Sequence, residues 1–151
     1  MQNFFEYVNC LKRKINISKE ETIFICIGSK DVIWDSIGPY VGEFLKKNIG
    51  EKYVIGDLEN NICSEKDLVN HYSKLSNKFI VAIDSALVKD NLQGQIFVTQ
   101  KPIIMGLGLN QNKGMIGNIG IKASVRNGEN DKSYIIEFSK SIAEGICCAI
   151  D

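Results

Sequence analysis

Two aspartates follow short apolar runs, and acids in that position can do chemistry. Asp84 comes directly after the run at 79–83, and Asp35 follows the run that ends at Ile27 by one short loop. A carboxyl group with little water around it keeps its proton to higher pH, and a second carboxylate nearby separates the two titrations. Such a pair can share one proton and activate water, or can bind a metal ion that does so.

Structural roles for the same residues stay open at this point. Asp35 or Ser36 can cap the helix that begins around Pro39. Asp84 can accept backbone N–H groups in a turn. The residues alone therefore give a candidate pair of catalytic or ligand-binding acids, and they leave the structural alternative standing.

Apolar periodicity predicts an alternation of helices and strands that would position these acids. Ser64, three residues before Asp67, predicts the cap of a helix at 65–76. Residues 103–120 are ambiguous between loop and strand. The predicted elements are a helix at 3–14, a strand at 22–27, a helix from about 39 to 48, a strand at 53–55, a helix at 65–76, strands at 79–83, 95–99 and 119–125, and a helix at 132–149.

This alternation favours an α/β fold with a mostly parallel central sheet and helices on both faces. The carboxyl ends of parallel strands meet at one edge, where open α/β sheets bind ligands. We therefore expect Asp35 and Asp84 at the same edge. A chain of 151 residues has the usual size of one domain, so we expect a single α/β domain over residues 1–151.

Composition narrows the class of partner. The 18 basic and 18 acidic residues cancel, which argues against a nucleic-acid or membrane partner. Five cysteines without a C-x-x-C pair, and a start that lacks a basic stretch followed by an apolar core, favour the reducing cytoplasm. The glycines at 106 and 108 lack the context of a phosphate-binding loop, so we expect no cofactor.

Two segments together resemble a known group of proteases. The segment at 28–39, which contains Asp35-Ser36-Ile37-Gly38-Pro39, and the segment at 79–86, which contains Ile83-Asp84-Ser85, are similar to the signature of the spore germination protease and the hydrogenase-maturation proteases. The sequence is more similar still to the smaller YyaC-like sporulation family of spore-forming bacteria. That family shares Cys26-Ile27-Gly28 and the glycine-rich segment at 114–121.

The resemblance implies a three-layer α/β/α sandwich of the phosphorylase/hydrolase type. It implies that Asp35 and Asp84 correspond to the two acids proposed to act in the germination protease. In hydrogenase-maturation proteases the matching carboxylates bind nickel together with a later histidine. The sole histidine here, His71, precedes Asp84, so that nickel site is incomplete and we expect no metal.

The leading hypothesis is a peptidase-like hydrolase of sporulation or germination, in which Asp35 and Asp84 cleave a peptide bond in a protein or peptide substrate. Gly28, Ser29, Ser36 and Ser85 flank the acids, and we expect them to bind the substrate. The alternative is a non-catalytic, spore-associated binding protein that retains the protease-like fold. A small-molecule hydrolase or phosphorylase is a third hypothesis, which lacks a phosphate-binding basic cluster near the acids. The expected compartment is the cytoplasm of a spore-forming bacterium, in the forespore or mother cell.

Overall fold

The computed structural model describes residues 4–15, 18–106 and 112–150 of the chain. A 3₁₀-helix spans Glu65–His71, and shorter 3₁₀ turns join other elements. The α-helices in these ranges are α1 (Phe4–Lys14), α2 (Ile37–Ile49), α3 (Tyr72–Leu75) and α4 (Lys132–Ala149). The strands there are β1 (Thr22–Cys26), β2 (Val54–Ile55), β3 (Phe79–Val88), β4 (Ile96–Thr99), β5 (Ile103–Ile104), β6 (Met115–Ile116) and β7 (Ile119–Arg126).

The central sheet has five strands in the order β2-β1-β3-β7-β4. The pairs β1–β2, β1–β3 and β3–β7 are parallel, while the edge strand β4 runs antiparallel to β7. All five residues of β1 are buried, as expected of an apolar strand covered on both faces. The predicted mostly parallel α/β sheet is confirmed.

Helices α1, α2 and α4 cover one face of this sheet. Phe24, Val81 and Ile121 of the strands pack there with Leu11 of α1 and Ile142 of α4. The opposite face is covered more thinly, by the 3₁₀-helix, α3 and the β5–β6 hairpin. These three elements contribute Leu68, Leu75, Ile103 and Ile116, which pack on strand residues such as Ile25 and Ala82.

Two stretches differ from the prediction. The helix expected at 65–76 is a 3₁₀-helix followed by the single α-turn of α3. Asp67 accepts the backbone N–H of Ser64, as its position predicts, but three residues per turn place the next residues on a different face. Tyr72, the first residue of α3, is 53% exposed. Residues 103–120 contain the β5–β6 hairpin, although 107–111 lie outside the described residues.

The start of α2 lies in close backbone contact with the end of β1. A Cβ atom built on Gly38 would lie 1.9 Å from the carbonyl oxygen of Ile27. One on Gly28, whose φ is +144°, would lie 2.1 Å from the carbonyl oxygen of Asp35. Only glycine fits at either position, because no side chain can occupy the space of a backbone carbonyl. This contact fixes the loop that carries Asp35.

None of the helices in the described part of the chain is both long enough and apolar enough to span a bilayer.

Gly38→Ala should destabilise the protein by more than about 2 kcal/mol, because its methyl group forces α2 away from β1. Alanine normally favours a helix over glycine, so a loss here can only come from the contact with Ile27. Urea denaturation measures the change. Lys47→Ala, an exposed position in the same helix, is the control and should change stability little. Equal stability of Gly38→Ala and wild type would show that the contact is not restrictive.

Candidate active site

Asp35 is the last residue of a 3₁₀ turn, Ile33–Asp35, between β1 and α2. The backbone N–H of Ser29 donates to its carbonyl oxygen at 3.0 Å and lies 3.2 Å from its Oδ2. These bonds close the loop upon itself. They hold the carboxyl group of Asp35 at the carboxyl end of β1, as the sequence predicts.

Asp84 lies inside β3 and not at its tip, because the strand continues four residues past Asp84, through Val88. The expectation that the strand ends at Asp84 is wrong, since β3 keeps its partner β7 along this whole stretch. β1, however, ends at Cys26, which pairs with Ile83. Asp84 is therefore the first residue of β3 beyond the end of β1. Asp84 is thus placed by the carboxyl end of β1 and not by the end of its own strand.

Ser85 links the two acids. Its hydroxyl group donates to Oδ1 of Asp35 at 3.4 Å, and its backbone N–H donates to Oδ1 of Asp84 at 2.8 Å. The negative charge of Asp35 also acts on the carboxyl group of Asp84. The two acids therefore lie at one site, beside the end of β1.

Burial raises the pKa of both acids. The pKa of Asp35 rises from 3.8 to about 6 because the group is largely buried, although the Ser29 N–H, the Ser85 hydroxyl and the charge of Lys113 oppose the rise. The pKa of Asp84 rises well above 3.8, first through burial and then through repulsion from Asp35. At neutral pH this arrangement favours an ionised Asp35 beside a protonated Asp84. One can take a proton while the other gives one.

Two lysines that the sequence analysis missed act on the pair. Lys113 lowers the pKa of Asp35, and Lys122, which pairs with Asp84 in the β3–β7 register, lowers the pKa of Asp84. Neither is among the ion pairs with N–O distances up to 4.0 Å in the described residues. The strand register supplies Lys122, and register is not readable from composition.

Cys63 also borders the site and carried no signal in the sequence. Its thiol donates to the carbonyl oxygen of Gly28 at 3.3 Å. Burial, followed by the negative charge of Asp35, raises the pKa of this half-buried thiol, which therefore stays protonated. A nucleophilic role for Cys63 is disfavoured, because the thiolate is the reactive form.

The loop that carries Cys63 is anchored at Asp57. The Oδ1 of Asp57 accepts the backbone N–H groups of Glu59 and Asn60, and its Oδ2 accepts from Nζ of Lys46 on α2 at 2.6 Å. The nearby charge of Lys46 and these hydrogen bonds lower the pKa of Asp57 despite its burial. The loop after β2 is thereby tied to the same helix that positions Asp35.

The four residues expected to bind a substrate are placed differently from one another. Gly28, Ser29 and Ser85 contact the acids or Cys63 directly. Ser36 is 2% exposed, and its hydroxyl donates to the carbonyl oxygen of Ile33 at 2.7 Å. Ser36 therefore closes the turn before α2, with no side-chain hydrogen bond that caps the helix. Substrate contacts of all four stay a prediction.

The nickel site of the hydrogenase-maturation proteases does not fit the side chains present. Among the described residues, no three His, Cys, Asp or Glu side chains are grouped so that they could hold a metal ion. Asp35 and Asp84 make a two-carboxylate site that lacks the third ligand the resemblance requires.

The sheet topology defines an α/β protein with a mostly parallel sheet, with the two acids beside the carboxyl end of β1. The crystal structure of a NiFe hydrogenase maturation protease, HycI from Thermococcus kodakarensis KOD1, has a TM-score of 0.58 to this chain at 17% sequence identity. The alignment covers 86% of this chain and 92% of HycI. The predicted three-layer α/β/α sandwich is confirmed.

The chain belongs to the family described as protein of unknown function, DUF1256, whose model matches residues 1–143. It is 29% identical over 107 residues to the uncharacterized protein YyaC of Bacillus subtilis (strain 168). That match covers 68% of this chain and 52% of YyaC, so it spans about half the length of that relative. The resemblance to YyaC-like and protease-related proteins is confirmed.

Stability should fall as pH rises from about 4 to above 6, because the folded state binds protons at these acids more tightly than the unfolded state. In the folded protein the pKa of Asp35 is about 6 and that of Asp84 is raised as well, against 3.8 ordinarily, so each proton lost in this range costs stability. Asp84→Asn removes one such titration. The variant should be at least as stable as wild type at neutral pH and should show a shallower pH dependence.

Urea denaturation across this pH range tests the prediction. Glu137→Gln, an exposed acid-to-amide change on α4, is the matched control and should follow the wild-type curve. A loss of more than about 2 kcal/mol for Asp84→Asn at neutral pH would instead make Asp84 a structural acceptor for the Ser85 N–H.

Proposed function

We propose that this protein is a peptide-bond hydrolase of sporulation or germination, with Asp35 and Asp84 as its catalytic acids. The observation that carries the proposal is the pair itself. Asp35 has a pKa of about 6, while burial and the charge of Asp35 hold the pKa of Asp84 well above its ordinary range. Two acids whose environments separate their protonation can serve as base and acid at neutral pH.

In this mechanism the carboxylate of Asp35 takes a proton from a water molecule, whose oxygen then bonds to the peptide carbonyl carbon. Asp84 gives its proton to the carbonyl oxygen, so the intermediate is a neutral diol on a tetrahedral carbon. When the C–N bond breaks, the proton on Asp35 passes to the departing nitrogen. One diol proton returns to Asp84, which restores the starting state of the pair.

Neighbouring groups would support this cycle. The Ser85 hydroxyl, hydrogen-bonded to Asp35, orients the carboxylate that acts as base. The charges of Lys113 and Lys122 favour the ionised forms of Asp35 and Asp84, respectively. They would thereby limit the cost of separating charge in a poorly hydrated site. Gly28, Ser29, Ser36 and Ser85 are the proposed substrate-binding residues.

The similarity to a protease supports a protein or peptide as the class of substrate. HycI, named a hydrogenase maturation protease, shares the fold, and a protease takes a protein or peptide as its substrate. The relative YyaC comes from Bacillus subtilis (strain 168), which fits a role in a spore-forming bacterium. The proposed compartment is the cytoplasm of that bacterium, in the forespore or mother cell. We propose that residues 1–151 act as one peptidase-like domain and that no metal or cofactor takes part.

A non-catalytic binding protein with the same fold is the second candidate. Asp84 is 7% exposed, so a substrate and its water must reach a nearly covered carboxyl group. This limited access favours a protein that kept the acids of the fold and lost turnover. The two candidates differ in what single substitutions do.

Asp35→Asn and Asp84→Asn should each reduce cleavage by at least about a hundredfold, because one acid must take a proton while the other gives one. The double variant should be little worse than either single variant, as for residues that act as a unit. The assay incubates each protein with extracted spore proteins and follows the cleavage fragments by mass spectrometry.

Glu137→Gln is the control and should cleave like wild type, because Glu137 lies on an exposed part of α4. Parallel reactions with a metal chelator should show unchanged cleavage. The hydrolase proposal is overturned if wild type cuts nothing while a partner co-purifies equally with wild type and both single variants.

A further inference from the structure

A cavity lies at the edge of the sheet opposite to the acids. It has a volume of about 310 Å³ and is lined by Glu20, Ile23, Lys52, Tyr53, Ser73, Lys74 and Lys78. Ile23 is near the amino end of β1, and Lys78 directly precedes β3. We call it the lysine cavity. Because it lies at the amino edge of the sheet, it is separate from the site of Asp35 and Asp84, which lies at the carboxyl edge where open α/β sheets usually bind ligands.

Lysines outnumber acids in the lining of the lysine cavity. Nζ of Lys52 lies 5.1 Å from the centroid of the Tyr53 ring, and Nζ of Lys19, which is not part of the lining, lies 5.2 Å from it. Lys74 and Lys78 add two more ammonium groups, and Lys78 donates to the backbone carbonyl of Glu20 at 2.7 Å. None of these four lysines is among the ion pairs of the described residues, which are Lys46–Asp57 and Arg126–Glu129.

The lining suits a small anion with several oxygen atoms. It contains three lysines and one acid, Glu20, so its formal net charge is positive. Lysine binds phosphate as a point charge, and the Ser73 hydroxyl can add a hydrogen bond. A volume of this size lies at the lower end of the range of small-molecule sites, about 300–1,000 Å³. This volume fits a small phosphate-bearing molecule and is too small for a folded partner.

We propose that the lysine cavity binds a small molecule through a phosphate group, held by Lys52, Lys74 and Lys78. Bound phosphate also relieves the mutual repulsion of lysines that the fold brings together. The site does not depend on the acid pair. Its ligand can therefore be sought whether or not the protein hydrolyses peptides.

The test is a titration of ¹⁵N-labelled protein with inorganic phosphate, pyrophosphate and adenosine 5′-monophosphate, each against sodium chloride of equal ionic strength. Backbone amide signals of Ile23, Tyr53 and Lys74 should shift saturably with at least one probe, with a dissociation constant below about 1 mM. A response to all three probes assigns a site for phosphate itself. A response to adenosine 5′-monophosphate alone assigns a site for its ester.

The double variant Lys52→Met/Lys74→Met should bind at least about tenfold more weakly, because two of the three phosphate partners are lost while the apolar stems remain. Lys89→Met/Lys140→Met, which removes two exposed lysines elsewhere, should bind like wild type. Glu20→Gln should tighten binding, since it removes the one carboxylate of the lining. If the double variant unfolds, Lys74→Met alone must still weaken binding.

Non-saturable shifts in wild type, or equal affinity in wild type and the variants that lack Lys52 or Lys74, would overturn the proposal. Equal weakening by Lys89→Met/Lys140→Met would do the same, because it would reduce the effect to overall charge.

Discussion

The close backbone contact between the end of β1 and the start of α2 is the constraint on which the candidate site depends. Gly38 lies against the carbonyl group of Ile27, and Gly28 lies against that of Asp35. These contacts hold the loop at 27–36 against the start of α2, and β1 stops at Cys26. β3 and β7 continue past the end of β1. Asp84 on β3 therefore lies beside the loop that follows β1 and carries Asp35.

Burying two carboxyl groups together costs free energy of folding, and nearby hydrogen-bond donors offset part of that cost. The Ser29 N–H and the Ser85 hydroxyl satisfy Asp35, and the Ser85 N–H satisfies Asp84. One shared negative charge is easier to bury than two, so the pair favours a single proton. The charge of Lys113 lowers the pKa of Asp35 and that of Lys122 lowers the pKa of Asp84, so each lysine offsets part of the rise that burial causes.

The sequence predicts the sheet well, because the apolar runs of β1 and β3 and the periodicity of α4 reflect burial directly. It also predicts that Asp35 and Asp84 lie at one edge of the sheet, although β3 continues past Asp84 through Val88. The sequence does not predict which residues far apart in the chain contact each other. Lys122 reaches Asp84 through strand register, and Cys63 reaches Gly28 across 35 positions of sequence. The 3₁₀-helix at Glu65–His71 was missed because its apolar residues fit an α-helical period equally well.

The central claim is that Asp35 and Asp84 titrate as a coupled pair that retains one proton at neutral pH. The most direct measurement is a pH titration of the two side-chain carboxyl carbons by ¹³C NMR, in wild type and in Asp35→Asn. The account predicts that Asp35 titrates near its pKa of about 6 and that the pKa of Asp84 is higher in wild type than in the variant, where the repelling charge is gone. Titration of both carboxyl groups near the ordinary pKa of 3.8, or an Asp84 titration that Asp35→Asn leaves unchanged, would contradict it.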